Sequence, residues 1–196
     1  MPGYRGLTAG TVSLQDPGLN AAQVLVVPYQ QRQLGGLSAY QATLPLGTIQ
    51  SGNFTLSASG GSTVGAFQAA LKIGADIQIE TPLAGLDAFA TCAPLTINWT
   101  GGDPKSWVTV SFVQVYAGFE AGNFAYQTHT SNGSMTIPVP VPPANSCGPP
   151  SNPVVLTIEV DPDPSEITTF SASGLSLGGQ ATWKYTHTFQ AGLDIH

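Results

Sequence analysis

Residues 95–116 read LTINWTGGDPKSWVTVSFVQVY, and the pattern of this stretch decides the fold class. Leu95, Ile97 and Trp99 alternate with Thr96, Asn98 and Thr100, the two-residue period of a strand that buries one face. Gly101-Gly102-Asp103-Pro104 then interrupts the pattern with residues that tolerate or impose turn geometry. From Trp107 the alternation resumes, with Val108, Val110 and Phe112 on one face and Trp107, Thr109 and Ser111 on the other. Val113 and Val115 make the second face apolar further along, as in a strand passing between two layers. The stretch predicts a hairpin at the centre of an all-β core.

Composition agrees with that class. Only 8% of the 196 residues are charged, against about a quarter in an ordinary domain. The 23 Gly and 16 Pro supply turns, and 42% apolar residues supply a core, which together suit a sandwich or barrel rather than a disordered chain. The net charge is −6. Its cations, Arg5, Arg32, Lys72, Lys105 and Lys184, are scattered singly, whereas nucleic acid and anionic lipid both need a clustered basic face. No apolar run approaches the ~20 residues that span a bilayer, so no membrane insertion is expected. Met1-Pro2-Gly3 reads as a start placed before a mature domain, with no signal peptide.

Working outward, 7–13 and 22–27 are strand candidates around the Asp16-Pro17-Gly18 turn, and 29–36 is a loop. Strands are predicted at 37–43 and 52–57, then a pair or one bent strand over 64–80 broken at Gly74. Residues 81–93 carry helical spacing at Leu83, Leu86 and Phe89. A strand pair is predicted at 123–130 and 134–139, turned by Ser131-Asn132-Gly133. Strands follow at 154–160, 167–172 and 181–190, the last alternating strictly. About eleven to thirteen short strands result, at the spacing of a sandwich. The whole reads as a single domain, 1–196: a predominantly antiparallel β-sandwich of Ig-like or jelly-roll type.

Cys92 and Cys147 are the two cysteines. Paired, and not in a CxxC motif, they read as one disulfide of an exported protein, with two buried thiols as the competing reading. A bridge over so long a loop constrains the unfolded chain by about 4 kcal/mol in the chain-entropy account. It would also lash down the proline-rich stretch 138–153, making it a rigid crossover loop instead of a linker.

Three segments in order carry a resemblance: Gly52-Asn53-Phe54-Thr55 with Gly60-Gly61, Val64-Gly65-Ala66-Phe67, and Leu95 to Pro104 with its WTGGDP core. With the strands at 124–139 and 154–160, they resemble an uncharacterised extracellular β-module of large secreted proteins from Acidobacteria-type soil bacteria. The resemblance covers residues 8–160 and implies an exported β-domain, extracellular or on the cell surface, with no assigned activity. Where that pattern often has a Cys, this chain has Tyr126.

Few residues suggest chemistry. Gly174-Leu175-Ser176-Leu177-Gly178 matches GxSxG, with Asp194 and His196 following, but the elbow needs a strand-to-helix turn and 181–190 reads as a strand. Asp161, Asp163 and Glu166 form an acidic turn, the one candidate for Ca²⁺; Pro162 and Pro164 account for it equally well as a rigid turn. His129, His187 and His196 lie too far apart for a recognisable zinc motif. Asn53, Asn98 and Asn132 occupy N-x-Ser/Thr sequons. Trp99, Trp107, Tyr116 and Trp183, with Phe119 and Tyr185, are candidates for an aromatic platform that stacks on sugar rings, against the alternative that they fill the core.

With no cofactor and no acid–base constellation in the sequence, the chain reads as a non-enzymatic structural or adhesion module. A carbohydrate-binding module is the alternative, and a serine hydrolase at Ser176 the remote one. The expected partners are a polysaccharide, a neighbouring surface protein, or a second copy added at an edge strand.

Overall fold

The computed structural model describes residues 8–15, 25–30, 39–83, 94–116, 119–138 and 154–191. Among them the strands are β1 (Val12–Gln15), β2 (Leu25–Val27), β3 (Tyr29–Gln30), β4 (Ala39–Tyr40), β5 (Gly52–Ala58), β6 (Phe67–Ile73), β7 (Ile77–Ile79), β8 (Leu95–Gly101), β9 (Trp107–Tyr116), β10 (Phe119–His129), β11 (Ser134–Ile137), β12 (Val154–Asp161), β13 (Thr168–Phe170), β14 (Gly179–Ala181) and β15 (Tyr185–Ala191). The sheets they form are antiparallel, and no α-helix occurs among the described residues. No helix there is long and apolar enough to cross a membrane. Cys92 and Cys147, residues 84–93 of the helix expected over 81–93, the Asp16-Pro17-Gly18 turn and residues 139–153 of the proline-rich stretch 138–153 lie outside the described residues; 81–83 are not helical.

Contacts divide the chain into two compact units, Met1–Ile73 with Pro164–Trp183, and Gly74–Asp163 with Lys184–His196. The first holds a sheet of order β2-β1-β5-β6. Its register puts Val12 beside Ala58, Leu14 beside Leu56 and Phe54 beside Leu71, and all six are buried. The opposite face is polar, with Ser13 and Ser57 joined by their hydroxyls at 2.9 Å. The β13–β14 hairpin belongs to this unit: Thr168 donates its hydroxyl to the Ala70 carbonyl at 2.8 Å. The Phe170 ring stacks on Phe67 at 4.1 Å.

The second unit holds two sheets, of order β10-β9-β12-β15 and β11-β8-β7. In the four-stranded sheet Val108, Val110, Phe112, Leu156, Ile158 and Val160 share one face and are at most 3% exposed. In the three-stranded sheet Leu95, Ile97, Trp99, Ile77 and Ile137 are likewise buried, while Thr96 and Thr136 pair their hydroxyls on the exposed side. The period-2 assignment of faces to β8 and β9 is therefore correct.

The hairpin between them is not. β8 pairs with β7 and β11, and β9 pairs with β10 and β12. Each strand has both backbone edges occupied, so neither can ladder onto the other. Gly101 and Gly102 take left-handed φ values of 75° and 81°. The Asp103 carbonyl accepts the Ser106 N–H at 2.9 Å. The result is an arch that carries the chain from one sheet to the other.

The strand pair expected over 123–139 fails in the same way. β10 ladders onto β9 and β11 onto β8, with a 3-10 turn at Thr130–Asn132 and a left-handed Gly133 between them. The two arches bind each other. Thr130 N–H donates to Ser106 O at 2.9 Å and its hydroxyl donates to Asp103 O. The Trp99 indole N–H donates to Thr130 O at 2.9 Å, and the Trp99 backbone N–H donates to Gly133 O at 2.9 Å. WTGGDP is thus half of an interlocked pair of crossovers, with Thr130 as its buried key.

The single strand predicted over 181–190 is two. β14 pairs with β13 and β15 with β12, and Thr182–Lys184 belongs to neither. Smaller differences occur near the start, where β3 lies in the expected loop and the strand expected at 37–43 is reduced to β4 within its described part.

Candidate functional site

The outward face of the β10-β9-β12-β15 sheet gathers the chemistry that the core excludes. Register places His129 beside Trp107 and Trp107 beside Asp161. The next row runs Gln127, Thr109, Glu159, Thr186, and the one after Ala125, Ser111, Thr157, Thr188. These residues occupy the pleat opposite the buried valines and isoleucines, so strand alternation alone turns them toward solvent.

At one end the Trp107 ring lies on the His129 imidazole, centroids 3.7 Å apart. His129 Nδ1 is 3.1 Å from the Lys105 carbonyl. A carbonyl only accepts, so Nδ1 carries the proton there and Nε2 is left as the second ring nitrogen. Gln127 donates its amide to the Thr109 hydroxyl at 3.3 Å. Beside them Lys184 Nζ lies 2.9 Å from Glu159 and 3.5 Å from Asp161.

The ion triad is uneven. Burial lowers the Lys184 ammonium's affinity for its proton, but the hydrogen bond to Glu159 and the charges of Asp161 and Glu159 outweigh that and hold its pKa above 10.5. Asp161 moves up from 3.8, because burial and the Glu159 charge exceed the pull of a lysine shared with a closer carboxylate. Folding therefore favours protonated Lys184 and disfavours ionised Asp161.

A second cluster ties β15 to the segment leading into β7. The Tyr185 hydroxyl donates to Gly74 O at 3.1 Å, and His187 Nε2 lies 3.1 Å from Asp76 Oδ1, which also accepts the Ile77 N–H. Burial first, then the Asp76 charge, raises the Tyr185 pKa above 10.0. Lys184 and Tyr185 thus have the same sign. Their contribution to stability is present below about pH 10 and is lost as pH rises through their raised folded values. Melting temperature followed by circular dichroism should fall with pH above about 10, and Tyr185→Phe with Lys184→Met should flatten that fall.

The rings singled out from sequence do not all stand on an open face. Trp99 is a core residue, 2% exposed with its N–H used by Thr130, so its place as a ligand contact is corrected. Trp183 belongs to the other unit and donates to Lys72 O at 3.0 Å. The Tyr116 side chain is outside the described residues. Trp107 stands on the outward face of the four-stranded sheet, half-buried.

The acidic turn does not converge either. Asp161 faces Lys184 and Glu166 faces Lys72 at 3.6 Å. Among the described residues no three His, Cys, Asp or Glu side chains, Asp163 included, form a group able to hold a metal ion. Ser176 lies exposed in the connection from β13 to β14, an antiparallel hairpin. Gly174 and Gly178 are left-handed there, at 86° and 73°. A strand follows where a nucleophile elbow needs a helix. Asp194 and His196 lie outside the described residues.

Sequence reasoning missed His129 and Asp161 as the cross-strand neighbours of Trp107, with Gln127, Glu159 and Lys184 in the groups beside them. Their outward phase within each strand was the available signal; their adjacency arises only from strand pairing. No family model matches the chain, and no curated protein matches it.

Proposed function

We propose that this chain is a non-enzymatic module of an exported bacterial protein, serving surface architecture or adhesion. In this reading the sheets of the second unit close face to face as an Ig-like sandwich, Cys92 and Cys147 form a disulfide, and the module works outside the cell. The resemblance carried by WTGGDP and its companion segments supports that setting.

The observation that carries the reading is the edge strand β10. It runs eleven residues, pairs only with β9 among the described residues, and exposes Phe124 to 46%. Long edges are normally blunted with Lys, Pro or brevity. β10 has one charge, Glu120, and no proline, and its irregularity is confined to the start, between Glu120 and Gly122. Such an edge suits addition of a strand from a second copy.

Light scattering over a concentration series tests this. The expected result is a rise in mass with concentration that Phe124→Lys abolishes while the melting temperature stays within a few degrees. A monomer at every concentration up to about millimolar would defeat self-assembly, the range in which weak edge pairing becomes populated.

A carbohydrate-binding reading is favoured by a separate observation, the half-buried Trp107 ring on an otherwise polar face.

A further inference from the structure

We infer that the Trp107 end of the outward β10-β9-β12 face is a binding site for a neutral glycan chain; the inference rests on the non-catalytic reading above and names a ligand for it. Three observations carry it.

The first is an unused donor beside an aromatic surface. Among the described residues the Trp107 indole N–H has no hydrogen-bond partner, in contrast to Trp99 and Trp183. The one side-chain polar atom there that is both sealed from solvent and partnerless is Ser106 Oγ, so the Trp107 N–H is not sealed from solvent. A sugar presents an apolar C–H face and a rim of hydroxyls, and the part of a half-buried indole left open beside His129 meets both, by its ring and its N–H. His129 lies against Trp107 with Nδ1 fixed on the Lys105 carbonyl. That anchorage holds the pair of rings as one preorganised surface.

The second is the mixture of polar groups in the adjoining rows. Gln127, Thr109 and Thr186 supply neutral donors and acceptors, and Glu159 and Asp161 supply carboxylates. Vicinal sugar hydroxyls donate and accept, which this mixture answers and a uniformly apolar face would not.

The third is charge. Lys184, next to β15, is held by both Glu159 and Asp161, and Lys105 at the Trp107 end is matched by Asp103, whose carboxylate accepts the Lys105 backbone N–H, which leaves the patch with a small negative excess. A polyanion such as a sulfated or uronic-acid polymer, nucleic acid or an anionic headgroup meets repulsion there. The rows also lack the large aliphatic side chains that would seat an amphipathic helix. A neutral polyhydroxylated chain is what remains.

Affinity gel electrophoresis of the full chain tests the inference, with glucomannan, hydroxyethylcellulose or arabinoxylan in the gel and dextran sulfate as the anionic counterpart. The expected result is retardation by at least one neutral polymer, with apparent affinity reduced about tenfold or more in Trp107→Ala. Gln127→Ala removes an exposed side chain that supports no core, and should weaken retardation roughly threefold, so loss of binding does not hinge on a variant that fails to fold. Phe124→Lys should leave retardation intact, which separates this site from edge assembly. No retardation by any neutral polymer, retardation by dextran sulfate alone, or retardation untouched by both Trp107→Ala and Gln127→Ala would overturn the inference. A monomeric protein that is retarded as described would sink edge assembly and leave the glycan site standing.

Discussion

Replacing Gly102 by Ala is expected to destabilise the second unit by about 2–4 kcal/mol. Two costs combine. At φ 81° an L-residue sits in the left-handed region, which costs about 1–2 kcal/mol. The added methyl would also stand 2.9 Å from Ile77 Cγ2 and 3.0 Å from Thr130 Cγ2, in a site where Ile77 and Thr130 are almost fully buried and have little room to yield. Gly47 separates the two terms. Its φ is 80°, and nothing lies within 4 Å of a Cβ built there, so Gly47→Ala should cost only the dihedral part, about 1–2 kcal/mol. Urea denaturation of both variants measures the difference. Equal losses would show that the arch has slack against Ile77 and Thr130.

Trp99→Ala is expected to have the largest effect of any single change, about 3–5 kcal/mol. The ring is 2% exposed and its N–H closes the 2.9 Å bond to Thr130 O. Trp99→Phe keeps most of the apolar volume but leaves that carbonyl without its donor, a loss of about 1–3 kcal/mol. A midpoint shift at unchanged denaturant slope is the measurement. If Phe were tolerated without loss, the crossovers would be held by packing and not by the indole N–H.

These two residues also mark where the sequence can be read and where it cannot. The phase of Leu95, Ile97 and Trp99, and of Val108, Val110 and Phe112, identified both buried faces correctly. Side-chain period reports which way a residue points and is silent on which strand lies beside it. The same flanks and the same GGDP break fit a hairpin within one sheet or an arch between two. What decides is the hydrogen bonding of β7, β10, β11 and β12, residues distant in sequence. The strand expected over 181–190 failed for the same cause: exposure keeps alternating through Thr182–Lys184 while the partner strand changes. The candidate site follows suit. Trp107 was legible as an outward ring from its phase. His129 and Gln127 came to it through the β9–β10 register, and Lys184 through its ion pairs with Glu159 and Asp161 on β12, which no local pattern encodes. Trp99 and Trp107 were grouped by residue type although their phases already set one inside and the other outside.

The excursion of Pro164–Trp183 out of the second unit has a consequence for dissecting the protein. β12 and β15 are laddered neighbours, with Val160 opposite Tyr185, yet the chain between them serves the first unit. Its two ends therefore leave and re-enter at adjacent points, the geometry of a domain insertion. No single cleavage divides this polypeptide into its two compact parts. Joining Asp163 to Lys184 through a turn of about two to five residues would turn β12 and β15 into an ordinary hairpin. That splice gives the second unit a continuous reading frame of its own, with Trp107, Trp99 and Thr130 all retained.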